Sequence, residues 1–215
     1  DIDGEAGNDY SGHSVSLSAD GSVVAIGAPG NNNNGQDNGH VRVYQNNNGS
    51  WEQIGDDIDG EASDDQSGRS VSLSADGSVV AIGARLNDDN GLNSGHVRIY
   101  QNNNGSWQQI GDDIDGEAAG DQSGWSVSLS ADGSVVAIAA RDNDGNGENS
   151  GHVRIYKNNN GSWQQIGDDI DGEAEWNHLG HSVSLSADGS VVAIGATGND
   201  GNGESSGHVR IYQNN

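Results

Sequence analysis

Apolar and polar residues alternate along this chain in short runs that recur. Ser14-Val15-Ser16-Leu17-Ser18 alternates at the two-residue period of a half-buried strand. Asp20-Gly21 follows as a tight turn, because Asp and Gly tolerate the backbone conformations such turns need. Val23 to Ala28 then returns as a second strand, and an Asn/Asp/Gly-rich loop runs from Pro29 to Gly39. The third strand, His40 to Tyr44, alternates again. A polar turn over Asn46-Asn47-Asn48-Gly49 leads to a fourth strand at Ser50–Ile54, and an acidic linker from Gly55 to Gly68 enters the next round.

The whole pattern has a fixed period. The stem Asp-Ile-Asp-Gly-Glu-Ala begins at Asp1, Asp57, Asp113 and Asp169, 56 residues apart each time. A unit of this length with four short strands and no helical periodicity predicts an all-β fold. It is a β-propeller-type array of four-stranded antiparallel blades. The units are 1–56, 57–112, 113–168 and 169–215, together one repeat domain. The last stops in the turn before its outer strand, so the blade edge is expected to be covered by more of a longer parent chain or by another chain.

Composition argues the other way at first. Only 31% of residues are hydrophobic and the formal net charge is −25, values typical of disorder. Periodicity overrules this, because the apolar residues sit at strand positions. The cores must be thin, since Phe, Met and Cys are absent, and each unit needs its neighbours. An excess of 33 acidic over 8 basic residues disfavours nucleic acid and anionic membrane as partners and favours bound cations. No apolar run reaches membrane-spanning length. The chain opens at Asp1 without a leader, as expected of a mature product or a piece of a longer protein.

Three segments carry a family resemblance. Ser-Gly-His-Ser-Val-Ser-Leu-Ser (11–18), Val-Ala-Ile-Gly-Ala-Pro (24–29) and Gly-His-Val-Arg-Val-Tyr (39–44) resemble the FG-GAP repeat of integrin α-subunits and of many secreted bacterial and algal proteins. The resemblance covers all four copies. The Gly-Ala-Pro element is literal only at Gly27-Ala28-Pro29. It reads Gly83-Ala84-Arg85, Ala139-Ala140-Arg141 and Gly195-Ala196-Thr197 elsewhere. The resemblance implies an extracellular or cell-surface propeller used for adhesion or display. The integrin-type calcium loop between the first two strands is replaced here by Ala-Asp-Gly-Ser, so that site is not carried over.

In an up-and-down sheet the turns after strands one and three share a face, and the loops after strands two and four share the other. The first set hardly varies among the copies, whereas the second set holds nearly all the variation. Tyr10, His13, Arg69, Trp125, Trp176 and His181 on the variable face are the candidate ligand contacts, for a glycan or a protein. Free drift of exposed loops is the alternative.

Calcium is the candidate cofactor. Asp142, Asp144, Asn146 and Glu148 alternate with glycines, and Asp200, Asn202 and Glu204 repeat part of the set, as an oxygen-rich cation loop would. An ordinary Asn/Gly turn explains the same residues. The acidic stems, for example Asp57, Asp59 and Glu61, are expected to hold backbone groups or the recurring Arg, with calcium between blades as the alternative. His40, His96, His152 and His208 are read as blade-to-blade hydrogen bonds. Trp51, Trp107 and Trp163 are read as caps on the thin sheets. Asn48, Asn104 and Asn160 stand in Asn-Gly-Ser, an N-glycosylation pattern in an exposed turn.

No nucleophile–base pair, phosphate loop or zinc-type spacing is visible, so the chain reads as non-enzymatic. Two roles compete. One is a scaffold that binds glycan or protein through its variable face. The other is a subunit of an extracellular filament or surface layer that self-associates end to end, or completes a ring.

Overall fold

The computed structural model describes residues 1–213, and every regular element among them is a strand. The first unit holds β1 (Ser14–Leu17), β2 (Val23–Ala28), β3 (His40–Asn47), β4 (Ser50–Gln53) and β5 (Ile58–Asp59). The second holds β6 (Ser70–Leu73), β7 (Val79–Ala84), β8 (His96–Asn103), β9 (Ser106–Gln109) and β10 (Ile114–Asp115). The third holds β11 (Ser123–Leu129), β12 (Val135–Ala140), β13 (His152–Asn159), β14 (Ser162–Gln165) and β15 (Ile170–Asp171). The fourth holds β16 (Leu179–Leu185), β17 (Val191–Ala196) and β18 (His208–Gln213), and its sheet has three strands.

Each complete sheet is an antiparallel meander with one difference from the sequence pattern. The acidic linker is not all linker: β5 pairs back onto β3, with Ile58 opposite Val41 and Asp59 opposite His40. The outer edge is therefore one broken strand. β4 covers the far half of β3 and β5 covers its beginning. Gly55, at φ 73°, makes the bend between them, a conformation that glycine adopts without a Cβ penalty. The hydrogen-bonded sheet thus runs past residue 56. The third strand also runs to Asn47, which leaves a two-residue Asn48-Gly49 turn with both φ values positive.

Packing is sheet on sheet, always in the same sense. Val23, Ala25, Val41 and Val43 of the first unit meet Leu73, Val80 and Ile82 of the second. Val79, Ala81, Val97 and Ile99 meet Val127, Leu129, Val136 and Ile138 in turn. Val135, Ala137, Val153 and Ile155 meet Val192 and Ile194 of the last. β1 packs on β6, β6 on β11 and β11 on β16, with no comparable contact from β16 back to β1. The described sheets are an open run with two unlike apolar ends. Val15 and Leu17 are 64% and 59% exposed at one end, and Val209 and Ile211 are 67% and 70% exposed at the other.

Small residues in the first strands are explained by polar stitching between units. Ser16, Ser72 and Ser128 hydroxyls accept from the backbone N–H of Leu73, Leu129 and Leu185. Ser14, Ser70 and Ser126 hydroxyls donate to the carbonyls of Gly68, Gly124 and Gly180. The Ala-Asp-Gly-Ser turns form a ladder of their own, Ala19 N–H to Ala75 O, Ala75 to Ala131 and Ala131 to Ala187, each at 2.8 Å. At the rim, the Trp107 and Trp163 indoles donate to the carbonyls of Ile54 and Ile110 in the preceding unit. On the constant face, each Ala-Asp-Gly-Ser turn is thus hydrogen-bonded to its copy.

The Asp in each of these turns has a titration consequence. Asp20 Oδ1 accepts from the Ser22 backbone N–H, the Ser22 hydroxyl and the Ser18 hydroxyl at 2.9, 2.7 and 2.8 Å. These donors hold its carboxyl down to about 2, and the Ser186 hydroxyl with the Ser190 donors holds Asp188 down to about 2. The folded values lie below the unfolded ones, so the turns' contribution is complete above the ordinary carboxylate range and is lost as pH falls through about 2. Carboxyl-carbon NMR titration is expected to find both groups near 2. Midpoints near the ordinary value would remove these bonds from the account.

Candidate functional site

On the variable face, three sets of residues related by the 56-residue period converge. The first set is Tyr10, Gln66, Gln122 and His178, all in the left-handed region with φ between 52° and 57°. Non-glycine residues seldom adopt it, and such positions cluster at functional sites. The second set is His13, Arg69, Trp125 and His181, and the third is Pro29, Arg85, Arg141 and Thr197. The turn that reverses the linker into the first strand places the first set with His13 and Arg69, β11 and β16 carry Trp125 and His181, and the end of the second strand places the third set.

Trp125 lies at the centre. The guanidinium carbons of Arg141, Arg69 and Arg85 lie 4.3, 4.8 and 5.0 Å from its ring centroid, within cation–π range. His181 is tilted against the same indole at 6.1 Å, and Arg69 Nη1 contacts His13 Nε2. Arg85 is held by Gln66 Oε1 at 3.0 Å and Gln122 Oε1 at 2.8 Å. Gln122 in turn donates to Asp142 at 2.7 Å. A cavity of about 470 Å³ opens beside the cluster, lined by Tyr10, His13, Pro29, Arg69 and Arg85 among others.

The electrostatics of this face oppose those of the molecule. The net charge is −25, yet three of the eight basic residues crowd one indole. Arginine ion pairs among the described residues involve Arg42, Arg98, Arg141, Arg154 and Arg210, which leaves Arg69 and Arg85 without a carboxylate partner. Burial and then Arg141 push Arg69 down, and burial and then Arg69 push Arg85 down. Burial, then Arg69 and Arg85, push the His13 imidazole down, and burial, then Arg141, do the same to His181. Three guanidiniums are concentrated here against the single carboxylate of Asp142, which pairs with Arg141 at 3.6 Å, and such an excess of positive charge is what an anion site requires.

Of the six residues expected from sequence variation, Tyr10, His13, Arg69, Trp125 and His181 lie in or around this cluster. Trp176 is exposed and stands edge-on to His178 at 6.2 Å, and His178 Nδ1 meets Asp142 at 3.1 Å. Arg85 and Arg141 were not legible as site residues, because their position reads as a departure from a Gly-Ala-Pro motif. Alignment of the four copies at that position (Pro, Arg, Arg, Thr) is the signal that could have found them.

The oxygen-rich loops use much of their polarity locally. Asp142 faces Gln122 and His178, and Asp144 accepts the Asn149 N–H at 2.7 Å. Asn146 donates to the Gly172 carbonyl, and Glu148 accepts from Trp176 through its backbone. In the last unit Asp200 accepts the Ser205 N–H, while Asn202 and Glu204 are exposed. Asn48, Asn104 and Asn160 are exposed at the tips of their turns.

The acidic stems meet the recurring Arg. Glu61 Oε1 and Glu117 Oε1 lie 3.3 Å from Arg98 and Arg154, and each of these Arg also donates to the carbonyl of Asp59 or Asp115. Among the described residues the side chains of the strand-leading histidines make no blade-to-blade hydrogen bonds. His40, His96 and His152 are buried and face carboxylates instead: Glu5 and Asp57 around His40, Glu61, Asp89 and Asp113 around His96, and Glu117 and Asp169 around His152, while the half-buried His208 meets Glu173. Each of the three clusters around a buried His could hold a metal ion. The sequence offered their stem carboxylates as an alternative calcium site between blades, but not the histidines or Asp89, which come from separate segments.

The fold and these motifs define a β-propeller-type repeat protein. The FG-GAP repeat model matches residues 2–44, 58–100 and 114–156, more than half of the chain, and the chain belongs to that family. No curated protein matches the sequence. Among solved structures it is similar to the hydrazine synthase of Kuenenia stuttgartiensis, at 11% identity and a TM-score of 0.59, over 99% of this chain and 48% of that one. It is also similar to a Bacteroides uniformis protein provisionally described as a 6-phosphogluconolactonase, at 15% identity and a TM-score of 0.62, over 94% and 50%. At such identities the likeness is one of fold. The chain spans about half the length of these two structures.

Proposed function

We propose that this chain is a non-enzymatic extracellular scaffold for adhesion or display. Its variable face binds an acidic glycan whose carboxylates or sulfates enter the Arg69–Arg85–Arg141 cluster. The observation that carries this reading is the convergence of three guanidiniums on Trp125, two of them without a carboxylate partner, in a strongly acidic protein. Guanidinium suits bidentate binding of carboxylate and sulfate groups. Tyr10 and Trp176, both exposed, supply aromatic faces for sugar rings, and the overall negative charge discourages binding of anions elsewhere.

Immobilised polysaccharides test the reading. A sulfated or uronate-rich polymer is expected to retain the chain and to release it as salt rises, while a neutral glucan is not. Equal retention by both polymers, or by neither, would remove the proposal.

Calcium enters the same proposal at the loops of the third and fourth units. There Asp144 and Asp200 each use one oxygen to close the loop. A chelator that leaves the melting temperature unchanged would exclude it.

Association through the sheet ends is the second reading, favoured by the two open apolar faces at Val15/Leu17 and Val209/Ile211. They are the two halves of the joint repeated between units, so a further unit can dock on either by the same packing. Monodisperse single particles in electron microscopy would rule out filaments.

A further inference from the structure

The second unit carries a four-ligand cluster that neither the glycan reading nor the family resemblance uses. Glu61 follows β5, Asp89 lies in the loop between β7 and β8, His96 opens β8 and Asp113 immediately precedes β10. His96 Nδ1 stands 3.9 Å from Glu61 Oε2, 3.9 Å from Asp89 Oδ2 and 3.7 Å from Asp113 Oδ2. One ligand atom from each residue falls within 4.8 Å of every other.

The histidine of this cluster is unsatisfied as it stands. His96 is 1% exposed, and neither of its ring nitrogens has a hydrogen-bond partner. A buried polar group left in this state costs stability. Three carboxylates surround it, and Arg98 reaches only Glu61. A neutral imidazole is the form that ligates a metal.

The geometry suits a small cation. Bonds of about 2.0–2.2 Å place tetrahedral ligands roughly 3.3–3.6 Å apart. The observed 3.7–3.9 Å closes to that range with small movements of Glu61, whose other oxygen stays on Arg98, and of Asp89, both of them exposed. One nitrogen and three oxygens suit Zn²⁺ and its neighbours better than Ca²⁺, which takes six to eight oxygens. The other units are poorer sites. Asn33, Gly145 and Gly201 occupy the Asp89 position, so the first and third units offer three ligands each, and His208 meets Glu173 alone.

We propose that His96, Glu61, Asp89 and Asp113 bind one zinc-like divalent cation that clamps the linker, the loop and the outer edge where the first two sheets meet. The full chain, stripped with chelator, is titrated with Co²⁺ and followed by its visible absorption. One strongest site is expected, displaced by Zn²⁺ and unaffected by excess Ca²⁺. Asp89→Asn, at an exposed position, is expected to weaken it at least tenfold, while Asp144→Asn leaves it unchanged. Zn²⁺ is also expected to shift the His96 Nδ1 signal in ¹⁵N NMR. Unchanged affinity in Asp89→Asn, displacement by Ca²⁺, or a stationary His96 signal would each overturn the site.

Discussion

Gly83→Val is expected to break the joint between the second and third sheets, at a cost of about 3 kcal/mol. A Cβ at this position would lie 2.2 Å from the Gly124 carbonyl oxygen and 2.4 Å from Ser70 Oγ. The first of these is backbone, locked in β11 and already accepting the Ser70 hydroxyl. Retreat far enough to admit a branched side chain would open a core made of Val, Ile and Ala, in which little apolar area is available to compensate. The chain contains its own comparisons. The third unit has Ala139 here, so a single methyl is accommodated, but the branched side chain adds two more carbons. At Gly195, in the last unit, no further sheet is packed, and the near neighbour is the rotatable Ser182 hydroxyl at 2.6 Å. Gly195→Val is therefore expected to change stability by under about 1 kcal/mol. Denaturant unfolding of both variants makes the test. Equal losses would mean that close approach of neighbouring sheets is not what demands glycine.

Arg141→Glu is expected to abolish retention on acidic polysaccharide, a loss of at least about a hundredfold. Arg141 is the guanidinium nearest Trp125, and Asp142 stands 3.6 Å from its Nε. Reversal removes a charge-assisted contact and brings two carboxylates together at the mouth of the site. Charge-assisted hydrogen bonds contribute about 1.5–3 kcal/mol each, and about 2.8 kcal/mol corresponds to a hundredfold in affinity. Arg141→Lys keeps the charge but loses the planar stacking and the forked donors, so an intermediate loss of about tenfold is expected. Calorimetric titration with a defined sulfated oligosaccharide distinguishes the three proteins. Wild-type affinity in Arg141→Glu would move the site away from Trp125.

Much of the architecture is legible because strand alternation and turn chemistry are local. Val15/Leu17 and Val41/Val43 show their strands at once, and Asn48-Gly49 marks its turn by the conformations these residues tolerate. Ile58-Asp59 was not legible as a strand. It is two residues long and set in an acidic stem, and it becomes a strand only because β3 offers unpaired groups beside it. Tyr10, His13, Arg69, Trp125 and His181 stood out because the copies differ there. Arg85 and Arg141 did not, since their role depends on an indole contributed by another segment.

The amino-acid sequence by itself determined the unit, its strands, its tight turns and the side of each sheet on which variation falls. These follow from periodicities of two and of 56 residues, which act within a unit. Tertiary structure alone decided that arginines from two sheets meet over one tryptophan, and that a histidine at the head of β8 is buried among three carboxylates. Both depend on the angle and spacing at which one sheet packs on the next. Those are set by side-chain volume and inter-unit hydrogen bonds, and no single unit contains them.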